Sequence, residues 1–170
     1  VVEHLPFLAL QEENLLSLQL LLNYYADSLA VRQLVAPILA WYPHCPPAFA
    51  LQLERLHRLA VEYGVPSSLL VFRLTPEALH ARLLGAIVRQ SRATDWDHAW
   101  FVPDPTPRVL VLMPLTGRAE AEGYIQRLEK WFVENGHGGM TKGGVSVRWF
   151  GIDAPPVHVL AAALGDGHAG

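Results

Sequence analysis

The chain has 170 residues, of which 51% are hydrophobic and 17% are charged, a composition that supports a folded core and excludes a disordered chain. Its net charge of -3 argues against a general nucleic-acid-binding protein, so we expect no DNA or RNA partner. The only cysteine, Cys45, excludes an internal disulfide.

The N-terminal part predicts a strand, a helix and then a break. Residues 4–10, HLPFLAL, predict the strand, and the leucine spacing from Glu12 to about Leu29 predicts the helix. Several prolines then predict a linker over residues 31–45. The leucine-rich helix needs cover on more than one side, by another domain or by a second copy of the chain. Because Val1 already lies in a predicted strand, we expect a fragment of a longer protein.

Regular alternation of elements begins at Pro46. A helix is predicted to end at Gly64, a suitable C-cap, and SLLVFRL predicts a buried strand. Thr75 and Pro76 predict the start of a helix that ends near Ser91.

The remaining pattern is a strand, the turn-rich VPDPTP, the strand VLVLMPL, a helix to about Glu134, the strand VSVRWFGI and a closing helix. This order predicts an α/β (α+β) fold in which helices flank a mixed central sheet that contains a hairpin.

Arg92 and Asp95 stand three positions apart, where a predicted helix passes into a predicted strand. An Arg-x-x-Asp pair alone is weak evidence, and the simple alternative is a surface ion pair worth ~0–1 kcal/mol. Its surroundings are more specific. From about Pro46 to Gly170 the order of elements resembles the diguanylate cyclase (GGDEF) domain, in which RATD matches the inhibitory-site RxxD motif and VLVLMPLTG matches the strand after the signature.

The departures from that domain concern the catalytic site. Residues 101–105, FVPDP, stand at the signature position without its two glycines, and Asp104 is the only acid in the hairpin. Where an active cyclase ends its first strand in a metal-binding Asp, this chain has Arg73, which repels a cation. Metal-assisted phosphoryl transfer needs carboxylates, so we expect no catalytic residue, no metal site and no cofactor. His44 and Cys45 resemble half of a metal site, but no second pair is evident.

A degenerate signature beside an RxxD motif, preceded by a strand and helix that can end a GAF domain, resembles the PelD family of cyclic di-GMP receptors in Pel exopolysaccharide export. The resemblance implies the end of a GAF-like domain at residues 1–30, a linker at 31–45 and a degenerate GGDEF domain at 46–170. It also implies partners in an export complex and a cytoplasmic position at the inner membrane, with the membrane segment outside this chain. A homodimer is left open.

The resemblance further implies that Arg92 and Asp95 bind cyclic di-GMP together with an arginine from the helix after the hairpin, for which Arg127 is the candidate. Another arginine would come from upstream of Val1. Guanine chemistry agrees, because a guanidinium meets O6 and N7 and a carboxylate accepts from N1-H and N2-H. Two alternatives stay open: an interaction domain that binds no nucleotide, and an active diguanylate cyclase, against which Arg73 argues.

Overall fold

The computed structural model describes residues 12–80, 83–90, 99–103 and 106–165. In chain order they form α1 (Glu12–Trp41), α2 (Pro47–Tyr63), β1 (Ser68–Leu74), α3 (Pro76–His80), α4 (Leu83–Gln90), β2 (Ala99–Val102), β3 (Arg108–Met113), α5 (Arg118–Glu134), β4 (Val145–Gly151) and α6 (Pro156–Leu164).

The four described strands form one sheet in the order β2-β3-β1-β4. The hairpin strand β3 returns between β2 and β1, and β4 pairs with the other side of β1, which gives a split β-α-β arrangement. The predicted α+β class, with helices flanking a central sheet, is confirmed. A mixed sheet was predicted, but every pairing among the described strands is antiparallel. The helical crossovers join β1 to β2 and β3 to β4. The two strands of each such pair lie two places apart in the sheet, with an antiparallel strand between them.

Each face of the sheet has its own hydrophobic core, since alternate residues of a strand point to opposite faces. Leu69 and Val71 of β1 join the core formed with α1, α2 and α6, in which the Trp100 ring lies 5.7 Å from that of Phe49. Leu70 and Phe72 join the core formed with α3, α4 and α5. The second face is the one on which the candidate ligand residue Arg127 is carried.

Helix α1 is longer than the sequence predicted. It does not end near Leu29 but continues through Pro37 to Trp41, so most of the predicted linker at 31–45 is helical. Proline inside a helix costs ~3 kcal/mol. Burial of Val35 and Ile38 against α2 and the sheet offsets this cost, and tertiary packing thereby overrides the local signal. The assignment of residues 1–30 to a GAF-like domain stays a prediction, and its strand at 4–10 lies outside the described residues.

The first half of α1 exposes its leucines. Leu16, Leu20 and Leu21 are 54%, 70% and 66% exposed. Leu16 and Leu20 share one side of the helix, and Leu21 lies about 100° around it from Leu20. Such a surface is typical of a helix that another protein surface covers. In the part of the chain that the structure describes, no helix combines the length and the hydropathy that crossing a bilayer requires.

The predicted helix ends around β1 are confirmed. Gly64 has the left-handed φ of 65° that a C-cap requires, and its N–H donates to the Ala60 carbonyl over 3.0 Å. Thr75 Oγ1 accepts a hydrogen bond from the N–H of Ala78 at 3.3 Å and so caps α3. These caps set where β1 begins and ends, and hence where Arg73 stands.

Candidate functional site

Arg127 lies on the exposed side of α5, beside the stripe that this helix buries. Tyr124 and Leu128 belong to that stripe and are 2% and 0% exposed. The Arg127 guanidinium carbon lies 5.9 Å from the centre of the Tyr124 ring, within the range of a cation–π interaction. Arg127 therefore presents its charge at the surface while its stem rests on the core of the α3–α4–α5 face.

Tyr124 joins α5 to α4. Its hydroxyl donates a hydrogen bond to the main-chain carbonyl of Ile87 over 3.3 Å. Its ring meets that of Phe72 on β1 edge-on, with centres 6.5 Å apart. Through Tyr124, the helix that carries Arg127 is tied both to the sheet and to the last turn of α4.

Arg92 and Asp95 lie outside the described residues, and so does Asp104 of the hairpin. The described chain ends at Gln90 of α4 and resumes at Ala99, which pairs with Val111 of β3. The RxxD assignment therefore stays a prediction, while the helix that leads to it packs against α5.

The end of β1, where the resemblance implies a metal ligand in active cyclases, carries an arginine pair instead. Arg73 and Arg108 are directly opposite each other on β1 and β3. Arg73 Nη2 donates to the Gly165 carbonyl at 3.3 Å, and Arg108 Nη1 donates to the carbonyl of Leu164. Both carbonyls lie at the C-terminus of α6, where the helix dipole favours cations. The pair thus attaches α6 to the sheet.

A cavity of about 380 Å³ opens beside Arg73. Its described lining contains Arg73 and the hydroxyl side chains of Thr75, Thr106, Thr141 and Ser146, and no carboxylate. Among the described residues, no group of three or more His, Cys, Asp and Glu side chains can hold a metal ion. A divalent ion for phosphoryl transfer needs oxygen ligands with negative charge, which these lining residues do not supply.

Two residues of this region were not predicted from the sequence. Arg108 is 2% exposed, and the only sequence signal for its role is a charged residue at the start of an otherwise apolar strand. Tyr124 lies on the buried side of α5, and its contact with Arg127 follows from the i, i+3 spacing of a helix.

Cys45 is a buried thiol in the core beside α1 and α2, and among the described residues it belongs to no group of three or more possible metal ligands. Its Sγ donates to the Pro46 carbonyl at 3.7 Å, and burial raises its pKa to about 12. We expect alkylation by iodoacetamide at pH 8.5 to be more than tenfold slower in the native chain than in urea. Equal alkylation rates in both states would contradict the burial.

The same burial makes the stability of the fold depend on pH. Because the folded pKa of Cys45 lies above the unfolded one, this thiol stabilises the fold below pH ~8.5, and that contribution declines as the pH rises toward 12.

The fold and this site together define a class. The split β-α-β sheet, the β2–β3 hairpin and the arginine at the end of β1 are those of a GGDEF-type domain without the metal-binding acid. A model of the PelD GGDEF domain matches residues 43–164. The chain therefore belongs to the PelD GGDEF domain family.

Solved structures of PelD from Pseudomonas aeruginosa resemble the chain. One from strain PAO1 has a TM-score of 0.53 at 28% identity and covers 62% of this chain and 38% of its own. One from strain PA14, in complex with c-di-GMP, has a TM-score of 0.57 at 26% identity, with coverages of 68% and 43%. The PA14 apo form, at 23% identity and a TM-score of 0.58, matches the fold over 98% of this chain and 58% of its own. The chain thus spans between 38% and 58% of these solved chains. No curated protein matches it.

Proposed function

We propose that this chain is a non-catalytic cyclic di-GMP receptor domain and that Arg92, Asp95 and Arg127 bind the dinucleotide. The observation that carries the proposal is membership in a family of which two solved PelD complexes with c-di-GMP are 26% and 27% identical to this chain. Retention of the RxxD motif in the segment that follows α4 supports the choice of residues.

The position of Arg127 supports its part in the site. Arg92 follows Gln90 by two residues, a separation that the chain spans in ~7 Å at most. α4 is tied to α5 one turn before Arg127, through the hydroxyl of Tyr124. A ligand between the α4 end and α5 can therefore meet arginines from two elements of the chain.

The chemistry of the three side chains matches the dinucleotide. An arginine fork donates to O6 and N7 of guanine, and the Asp95 carboxylate accepts from N1-H and N2-H. A second arginine stacks on a purine face or pairs with a phosphate, and Arg127 is exposed for either contact. Two arginines and one carboxylate can thus read guanines of an intercalated pair of ligands.

Absence of catalysis is the second part of the proposal. Arg73 stands at the end of β1 and donates to a carbonyl at the end of α6, so a cation there meets a positive charge. The neighbouring cavity has no carboxylate among its described lining residues. These observations favour a receptor over an active diguanylate cyclase.

At the level of the whole protein, we propose that ligand binding regulates Pel exopolysaccharide export from the cytoplasmic side of the inner membrane. The family match supports this assignment. The partners would be other proteins of the export complex.

Calorimetry tests the proposed site. We expect cyclic di-GMP to bind the wild type, and Arg92→Ala to weaken the affinity by about tenfold or more, because a buried guanine edge loses its partner. Arg58→Ala is the matched control, since Arg58 is an exposed arginine that pairs with Glu54 on the same helix at 3.1 Å. It should leave the affinity unchanged.

Three outcomes would contradict parts of the proposal. Equal affinities for the wild type and Arg92→Ala would reject the RxxD site. No heat with the wild type would favour the interaction domain without a nucleotide. Conversion of GTP to cyclic di-GMP with magnesium would reject the non-catalytic assignment.

A further inference from the structure

We infer that Tyr124 is a positioning residue of the dinucleotide site, which it does not itself touch. This inference rests on the proposed function, because it assigns a role to Tyr124 only if Arg127 and the segment after α4 bind ligand. One side chain, 2% exposed, contacts both Arg127 and α4, the helix that precedes the RxxD segment in the chain. The Tyr124 hydroxyl contacts α4, and the Tyr124 ring contacts Arg127.

The hydroxyl acts on α4. It donates to the carbonyl of Ile87, three residues before the helix ends at Gln90 and five before Arg92. This bond holds the last turn of α4 against α5. Loss of the bond would therefore loosen the helix that leads into the RxxD motif.

The ring acts on Arg127. The guanidinium carbon lies 5.9 Å from the ring centre, and Gly123, one turn before Arg127, leaves the adjacent helix surface without a side chain. A Cβ added at Gly123 would lie 3.8 Å from Arg127 Nη1, so the guanidinium lies back along α5 over Tyr124. Arginine loses much rotamer freedom when it binds, and a ring that already holds it reduces that loss.

Tyr124 also has an ordinary structural role, because its ring meets Phe72 in the core. A purely structural residue changes the stability of the fold and leaves the affinity of a correctly folded chain unchanged. A positioning residue changes the affinity as well, since the free protein then samples arrangements that the ligand must reorder. Affinity at matched folded fraction is therefore the deciding measurement.

The experiment measures cyclic di-GMP binding by calorimetry on the 170-residue chain. Tyr124→Phe keeps the ring and removes the bond to Ile87, and we expect it to weaken binding by roughly two- to fivefold, as one neutral hydrogen bond would. Tyr42→Phe is the matched control, since Tyr42 packs against Trp100 on the opposite face of the sheet. It should bind as the wild type does. Circular dichroism establishes that each variant is folded at the titration temperature.

A double-mutant cycle separates the two roles. In an Arg127→Ala background, Tyr124→Phe should still weaken binding, because its hydroxyl acts through α4. Tyr124→Leu should cost more than Tyr124→Phe in the wild type, and this difference should vanish in the Arg127→Ala background, because the ring acts through Arg127. Additive effects of the ring and Arg127 would overturn the role of the ring.

Hydrogen exchange on the wild type gives a second measurement that needs no variant. Cyclic di-GMP should slow amide exchange in peptides covering 83–90 and 118–127, and unchanged exchange in both would overturn the inference. Wild-type binding with equal affinity in Tyr124→Phe and Tyr124→Leu would also overturn it and leave the proposed function standing. No binding by the wild type would reject the proposed function and this inference with it.

Discussion

Replacement of Arg108 by alanine is expected to lower the free energy of unfolding by about 2–4 kcal/mol. Arg108 is 2% exposed, and its Nη1 donates to the Leu164 carbonyl at the end of α6. A hydrogen bond from a charged donor contributes ~1.5–3 kcal/mol, and the buried methylene stem adds packing that alanine removes. Urea unfolding followed by circular dichroism measures the loss.

Two further variants test whether the contact of Arg108 with α6 causes this loss of stability. Arg58→Ala removes an exposed arginine that pairs with Glu54 on its own helix, so its loss should stay within ~0–1 kcal/mol. Arg108→Lys keeps a positive charge but not the planar fork, and its stability should fall between those of the wild type and Arg108→Ala. A loss below ~1 kcal/mol for Arg108→Ala would contradict a stabilising contact with α6.

The arginine pair bears on the proposed loss of catalysis. Arg73 and Arg108 are opposite each other on neighbouring strands, a placement that is destabilising for like charges. The C-terminal carbonyls of α6 offset that repulsion, because each arginine donates to one of them. A carboxylate in place of Arg73 would face those carbonyls and be repelled. Arg73 stands at the position where the resemblance implies a metal ligand in active cyclases, and in this chain it instead binds the end of the closing helix α6.

Local chemical signals accounted for much of the fold. Gly64 and Thr75 define helix ends through φ and a hydroxyl cap, both of which depend on the residue itself and its nearest neighbours. Continuous runs of apolar residues located β1 and β3, which are almost wholly buried. Such features are predictable because few residues, close in the chain, determine them.

Features that depend on distant contacts were not predictable in the same way. α1 passes through Pro37 because Val35 and Ile38 pack against residues far along the chain. The contact of Arg108 with Leu164 joins positions 56 apart, and that of Tyr124 with Ile87 joins positions 37 apart. No local sequence pattern predicts either of these two contacts. The candidate residues Arg92 and Asp95 rest on the motif, whereas Arg127 now has a structural setting on α5.

Ligand-induced stabilisation is the second large effect that we expect. Cyclic di-GMP at a hundredfold excess over its dissociation constant should stabilise the wild type by about 2.7 kcal/mol, because it binds the folded chain and not the unfolded one. For a chain of this length that corresponds to a rise in Tm of roughly 5–11 °C. Differential scanning fluorimetry measures the shift.

Arg127→Ala tests the contribution of α5 to that shift. A tenfold weaker affinity would reduce the stabilisation at the same ligand concentration to about 1.4 kcal/mol, close to half of the wild-type shift. Arg118→Ala, on the same helix but at its first turn, should shift as the wild type does. An equal shift for Arg127→Ala and the wild type would remove Arg127 from the site.

Cyclic di-AMP provides the control for base recognition in the same measurement. Adenine has an amino donor where guanine has the O6 acceptor, so an arginine fork finds one acceptor instead of two, and Asp95 loses the N1-H and N2-H donors. We therefore expect almost no shift with cyclic di-AMP at the concentration that gives the full shift with cyclic di-GMP. Equal shifts with both dinucleotides would mean that the chain recognises the phosphates alone, and the proposed roles of Arg92 and Asp95 at the guanine edges would be wrong.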